Sequence, residues 1–341
     1  MSGSTTGTRL RVGIIGAGWV TQHHLKGWAG LKDRAEVVAI ADPDQDRARK
    51  RAEEFGIGMV FASAEQMLAQ TALDAVDIAA PREYHADLVR LAAQHDLAVL
   101  CQKPLAPTYA EAAVLVEEVS NECRLMVHEN WRFRSYYRTI ARWLAEGRIG
   151  EIVQAEMCLF TSGLLKDGQG LLPAIQRQPF IALLDRALVM EILIHHIDTL
   201  RFLLGDLSLA YASIGRSSQA MRGEDRASIV FETGTGASVS LSANLAVHGR
   251  APAQADRLTL IGSRGTIELE GDTLQCFGDS PCTMKFDLDA TYLQSYASAI
   301  EHFVECVQKS LPFETAAFDN LKTLGLVERI YECKSDGMRR S

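Results

Sequence analysis

The chain has 341 residues, 47% of them apolar and 23% charged, with a formal net charge of −8. That length supports two domains and a sizeable core, and the acidic balance without any basic block excludes the electrostatic footprint of a nucleic-acid or anionic-lipid binder. No apolar run approaches the ~18 residues of a membrane span. The first eight residues lack the apolar core of a signal peptide. The seven cysteines contain no C-x-x-C pair, so neither a disulfide framework nor a zinc site is indicated and a cytoplasmic protein with reduced thiols is expected.

In chain order, residues 9–15 form a short apolar strand that runs into Gly16-Ala17-Gly18-Trp19-Val20-Thr21. A strand that ends in G-x-G-x-x and opens into a helix is a dinucleotide cradle: Gly16 allows the tight turn and Gly18 lets the backbone approach a pyrophosphate. A helix starting near Trp19 and Val20 aims its N–H groups at that anion. Thr21 stands where the fingerprint has Gly or Ala, at some cost in helix–strand closeness. A second apolar run, residues 37–41, stops at Asp42, about twenty residues further on, where a carboxylate accepts both ribose hydroxyls and disfavours a 2′-phosphate. The expected cofactor is NAD. Arg47, on the helix that follows, is the residue that could rescue NADP.

Alternation continues. Residues 44–55 read as a helix that stops at Gly56, residues 59–61 as a strand, and Ser63 with Gln66 as a helix start. Residues 75–80 form a strand ending at Pro81, 84–95 a helix, 97–101 a strand ending at Gln102-Lys103-Pro104, and 125–127 another strand; Thr108 and Glu111 cap the helix between these last two. Strands alternating with helices of this length give a doubly wound parallel sheet, whose ligands bind beyond the carboxyl ends of the strands. Gly16, Asp42, Pro81 and Lys103 all fall at such ends.

The pattern changes near residues 147–150. Longer alternating runs follow, such as 152–160 and 237–245, with turns at 233–236, 262–265 and 271–272, and two helices close the chain at about 292–309 and 318–334. This predicts an α+β domain with a large, mostly antiparallel open sheet. Residues 1–130 are expected to form the dinucleotide-binding domain and 131–341 the substrate-binding and oligomerisation domain, the final helix being a candidate to pack back on the first. Ile152, Val239, Leu241 and Leu260 supply apolar side chains to either face of that sheet, and an uncovered face predicts a homodimer or homotetramer. On a helix over 188–204, Leu193, Ile197, Leu200 and Leu204 share one face at 100° per residue, and Glu191, His195 and Asp198 share roughly the opposite one. By periodicity alone that polar cluster is a helix surface or a pocket wall.

Five stretches together resemble the Gfo/Idh/MocA family of nicotinamide-dependent oxidoreductases, from Val12 to about Glu332. Gly16-Ala17-Gly18 resembles its nucleotide loop. Ala80-Pro81-Arg82-Glu83-Tyr84-His85 resembles T-P-N-x-x-H, with Ala80 and Arg82 in place of Thr and Asn. Cys101-Gln102-Lys103-Pro104 resembles the signature E-K-P, with Gln102 for Glu. Asn130-Trp131-Arg132-Phe133 resembles N-x-R-F, and His195-His196-Ile197-Asp198 with Phe202-Leu203-Leu204-Gly205 resembles H-x-I-D-x-x-x-[YF]-L-x-G.

The resemblance implies a Rossmann domain plus an oligomerising domain, and a catalytic set of Lys103, Glu191 and His195, Glu191 standing where Asp is commoner. It also places Ala80, Pro81, His85, Gln102 and Lys103 beside the cofactor, and Asn130, Arg132, Glu191, His195 and Lys103 near the substrate. Histidine, with an unperturbed pKa of about 6.5, suits proton transfer from an alcohol. Lys103 suits holding the oxygen and offsetting alkoxide charge, and sequence leaves open which of the two carries the proton. The connection 161–186, with Arg177 as its candidate contact, is long and polar enough to meet several hydroxyls. No metal spacing is present, and none is needed with a nicotinamide. The expected substrate is a small polyhydroxylated molecule, a sugar or cyclitol, for instance an aldose or a branched pentose such as apiose going to its lactone. The alternatives are a non-catalytic sensor of the same fold and an NADP-linked reductase.

Overall fold

The computed structural model describes residues 9–120, 122–253 and 256–337. The chain divides into two compact units, one of residues 1–133 and 292–322, the other of residues 134–291 and 323–341.

In the first unit the chain alternates as the sequence predicts: β1 (Leu10–Ile15), α1 (Thr21–Ala29), β2 (Ala35–Ala41), α2 (Gln45–Phe55), β3 (Met59–Phe61), α3 (Ala64–Gln70), β4 (Ala75–Ile78), α4 (His85–Ala93), β5 (Ala98–Gln102), α5 (Tyr109–Val119) and β6 (Leu125–His128). All strand pairings are parallel, in the order β3-β2-β1-β4-β5-β6. Strands buried on both faces carry mostly apolar runs, because helices cover each side of a parallel sheet; β4, β5 and β6 are buried at every residue, Asp77, Gln102 and His128 included. The order reverses between β1 and β4, and the crevice beyond the carboxyl ends there is where such sheets take ligands.

Local signals explain the helix ends. The Asp44 carboxylate caps α2, which stops at Gly56 in the left-handed conformation, and Thr108 and Glu111 form a reciprocal capping box on α5. Two helix starts differ from the sequence reading. Trp19 and Val20 lie in a turn and α1 begins at Thr21; a 3₁₀ turn, Arg82–Tyr84, precedes α4. The core gathers Val12, Ile14, Ile40, Leu100 and Met126 of the sheet with Ile300, Phe303 and Phe313, so the segment 292–322 completes this unit rather than the second.

The second unit holds α6 (Ser135–Ala145), β7 (Ile152–Phe160), α7 (Pro173–Arg177), α8 (Ile194–Leu204) and strands β8 (Leu207–Gly215), β9 (Arg226–Thr233), β10 (Ser238–Asn244), β11 (Arg257–Gly262), β12 (Thr266–Glu270), β13 (Thr273–Phe277) and β14 (Cys282–Lys285). The sheet order is β14-β13-β12-β11-β7-β10-β9-β8. Its pairings are antiparallel except β7 with β10, which is parallel. Strand alternation sorts the faces: Ala227, Ile229 and Phe231 are buried in β9 between exposed Arg226, Ser228 and Glu232. Val239, Leu241 and Leu260 are fully buried, which resolves the face they occupy. Two further helices, α9 (Leu288–Lys309) and α10 (Ala317–Gly337), complete the chain. Among the described residues no helix is long and apolar enough to cross a membrane.

Candidate active site

Four strand ends of the first unit converge on the crevice. Gly16, directly after β1, has φ of +103°, and a Cβ placed on it would lie 2.6 Å from the Ala79 carbonyl oxygen; only glycine fits that turn. A Cβ on Gly18 would meet nothing within 4 Å, so the loop leaves open space where a phosphate can approach. The buried Asp42 carboxylate accepts from Ala17 N (2.6 Å) through one oxygen and from Asp44 N (2.8 Å) through the other, which ties the glycine loop to the end of β2. Arg47 lies 3.4 Å from the same carboxylate and pairs with Asp44. The Thr21 hydroxyl donates to Gly16 O (3.0 Å), so the departure from Gly or Ala at that position bonds the loop to α1. These features fit a dinucleotide with a free ribose 2′-hydroxyl.

Two further groups lie at the loop. Arg51 of α2 reaches Gly18 O at 3.4 Å and adds positive charge beside the phosphate position, a placement that no motif encodes. His23 packs its ring against Trp19, Tyr292 and Tyr296; burial, reinforced by Lys26, His24 and Arg51, lowers its pKa from 6.5 to about 4, keeping it neutral near the loop.

Beyond β4 and β5, Ala80 and Lys103 are partly buried and Pro81 is exposed. His85 is buried, with Nδ1 2.8 Å from Pro104 O and Nε2 2.8 Å from Ala80 O. It therefore sits between the loops that carry Ala80 and Lys103, donating to one of the two carbonyls in the neutral form that burial favours. The Lys103–Pro104 peptide is cis. The Gln102 side chain accepts from Lys103 N at 2.7 Å. Asn130 and Arg132 are buried as well: Asn130 donates to Ser295 Oγ, and Arg132 to Glu314 O and to Asp319. Both brace the chain after β6 against the segment that completes the unit.

In the second unit, residues Leu188–Leu193 are a π-helix that continues as α8, so the single α-helical wheel drawn over 188–204 does not hold across this junction. Side chains from other elements cap its entry. The buried Glu224 carboxylate accepts from Ala187 N and Val189 N, while the Tyr331 hydroxyl accepts from Met190 N and donates to Glu224. These partners take the first N–H groups of the segment, which have no acceptor within it. Glu191 lies in the π segment, partly buried, and His195 in the first turn of α8, 8% exposed. Asp198 is fully buried, with the Thr323 hydroxyl linking it to Arg201. His196 places Nε2 3.0 Å from Asp256 and Nδ1 3.2 Å from Ile192 O. Asp256 also takes Arg134 and Tyr137; although burial alone would raise its pKa, His196 and Arg134 hold the carboxyl well below its ordinary range. A pocket of about 200 Å³ opens beside Ile192, with Thr161, Ala174, Ile181 and Leu245 in its wall and Arg177 and Gln178 contributing polar groups. Among the described residues, no cluster of three His, Cys, Asp or Glu side chains could hold a metal.

Fold and cradle define a two-domain oxidoreductase that uses NAD. The chain belongs to the Gfo/Idh/MocA family: residues 10–129 match the oxidoreductase family with NAD-binding Rossmann fold, and residues 137–268 match the GFO/IDH/MocA C-terminal domain. It is 31% identical to a D-apiose dehydrogenase of Paraburkholderia graminis over 98% of this chain and 90% of that protein. It is also 31% identical to one of Rhizobium rhizogenes, over 97% and 96%. An oxidoreductase from Agrobacterium radiobacter, solved in complex with NAD+, L-tartaric acid and magnesium, has a TM-score of 0.89 at 28% identity and 97% coverage of each chain. A levoglucosan dehydrogenase solved with NADH and levoglucosan, at 20% identity and a TM-score of 0.83 over 96% and 98% of the chains, shares the fold.

Proposed function

We propose that the protein oxidises a hydroxyl of a free sugar or cyclitol with NAD, and that a pentose of the D-apiose type, going to its lactone, is the substrate class. The observation that carries this is the match over nearly the full chain to two D-apiose dehydrogenases at 31% identity. Bound NAD supplies the hydride acceptor. Gly16, Gly18, Trp19, Val20, Asp42, Ala80, Pro81, Gln102 and Lys103 hold it, with His85 acting through the two loops it joins. His195 takes the proton of the reacting hydroxyl, Lys103 binds and polarises that oxygen, and Glu191 supports the imidazolium. Arg177, in the wall of the 200 Å³ pocket, offers donors to the remaining hydroxyls. Asn130 and Arg132 serve substrate binding through the chain they brace. A homodimer or homotetramer in the cytoplasm completes this reading.

The test is a pair of substitutions assayed with NAD and D-apiose. His195→Ala lowers kcat by about 10²–10⁴-fold with NADH affinity unchanged, and Lys103→Ala lowers kcat/KM at least as far. Near-wild-type turnover of His195→Ala at every pH would assign the proton to Lys103.

A further inference from the structure

A chain of buried polar groups runs under the end of β5. Asp77 on β4 and His24 on α1 are both fully buried. His24 Nδ1 lies 3.0 and 2.9 Å from the two Asp77 oxygens, and Trp28 Nε1 donates to Asp77 at 2.7 Å. On the other side of the ring, His24 Nε2 lies 3.1 Å from Gln102 Nε2. The far end of the same amide, Gln102 Oε1, accepts from Lys103 N at 2.7 Å.

Donor and acceptor roles along this chain follow from one another. The Asp77 carboxylate only accepts, so His24 Nδ1 carries the proton. Lys103 N–H only donates, so Gln102 must present its oxygen there and its NH₂ toward His24. The NH₂ then needs an acceptor, which is the lone pair of His24 Nε2. Every contact is satisfied by a neutral His24 with its proton on Nδ1, and a buried polar network is stable when each member is satisfied.

We propose that Asp77 and His24 are positioning residues for Lys103, acting through the Gln102 amide, and that position 102 takes Gln rather than Glu because the neutral His24 presents an acceptor. This rests on the catalytic reading of Lys103 above. A glutamate would set a carboxylate oxygen against that lone pair, and the relay would then close only when His24 took a second proton. The other ionisable or aromatic groups around the ring are His128, stacked at 4.2 Å from β6, Tyr296, edge-on at 5.7 Å from α9, and His23, its neighbour on α1. Cys101 lies close enough to Asp77 to feel its charge, and burial with that charge raises its thiol. None of these lies between the His24 ring and Gln102.

The experiment uses the full-length protein. In ¹⁵N NMR of the imidazoles, wild-type His24 carries its proton on Nδ1, toward Asp77, while in Gln102→Glu it gains a second proton on Nε2 at acid pH. With NAD and D-apiose, Gln102→Leu lowers kcat about five-fold, the equivalent of one neutral hydrogen bond. The kcat of Gln102→Glu relative to wild type falls as pH rises, because deprotonating His24 opens the relay; this nearly isosteric variant covers the case in which Gln102→Leu fails to fold. A wild-type His24 proton on Nε2, or a Gln102→Glu to wild-type ratio that is flat with pH, overturns the relay. Loss of kcat in Lys103→Ala with none in Gln102→Leu overturns the relay alone. Loss in neither overturns the catalytic reading of Lys103, and the relay's purpose with it.

Discussion

Asp42→Asn separates the two duties of the carboxylate beyond β2. Each of its oxygens accepts one backbone N–H, from Ala17 at 2.6 Å and from Asp44 at 2.8 Å. Asparagine offers one oxygen and one NH₂, so whichever way the amide turns, one N–H faces another donor. A hydrogen bond to a charged group is worth roughly 1.5–3 kcal/mol, so NADH affinity falls by about 10- to 150-fold as the glycine loop loses its tether or the ribose loses its acceptor. The other duty is exclusion. Against the unit charge of a carboxylate about 4 Å away, each negative charge of a 2′-phosphate costs ~1 kcal/mol in water and ~4 kcal/mol at a surface dielectric of 20. Arg47, 3.4 Å from Asp42 and 58% exposed, is released by the same substitution and can turn to that phosphate. NADPH affinity therefore falls less than NADH affinity, or rises. Fluorescence titration of wild type and variant with both reduced cofactors reads the ratio directly. An unchanged NADH:NADPH ratio would refute Asp42 as the selector.

Three other measurements probe the second unit. Asp256→Asn leaves His196 and Arg134 around a neutral group and lowers stability by roughly 3–5 kcal/mol, read by chemical unfolding. Because the folded carboxyl is held below its ordinary value, the wild-type contribution is present above about pH 4 and is lost as pH falls below it, so the variant shows a flatter acid limb. Glu191→Gln costs less kcat than His195→Ala and shifts the pH profile, because the imidazolium loses its counter-charge; an unchanged profile would separate Glu191 from the proton step. Sedimentation at micromolar concentration gives a dimer or tetramer mass, and a monomer would contradict the assembly drawn from the open sheet.

The parallel sheet was legible because β1, β2, β4, β5 and β6 are written as mostly apolar runs alternating with helices, and the order of glycines, strand and acid placed Gly16 and Asp42 at adjoining strand ends. The open sheet was legible from period-two alternation, as in β7 and β10. Other features were not local enough to read. The π-helix at 188–193 is capped by Glu224 and Tyr331, more than thirty and more than a hundred residues away, and a wheel drawn at 100° per residue carries no trace of either. His24, Asp77 and Gln102 stand on three elements, and only the fold brings them into one chain of hydrogen bonds. Asn130 and Arg132 match a motif, yet their partners Ser295, Glu314 and Asp319 come from the segment that returns to the first unit, a return that alternation of strands and helices does not encode.

The most direct test mixes the purified protein with NAD and a panel of free sugars and cyclitols, D-apiose and myo-inositol among them, and follows the absorbance of reduced nicotinamide. The account predicts reduction of NAD by at least one of these, fastest with a pentose of the apiose type and abolished in Lys103→Ala. Tight NADH binding with no reduction by any sugar or cyclitol would contradict it and leave a nucleotide-binding protein without dehydrogenase activity.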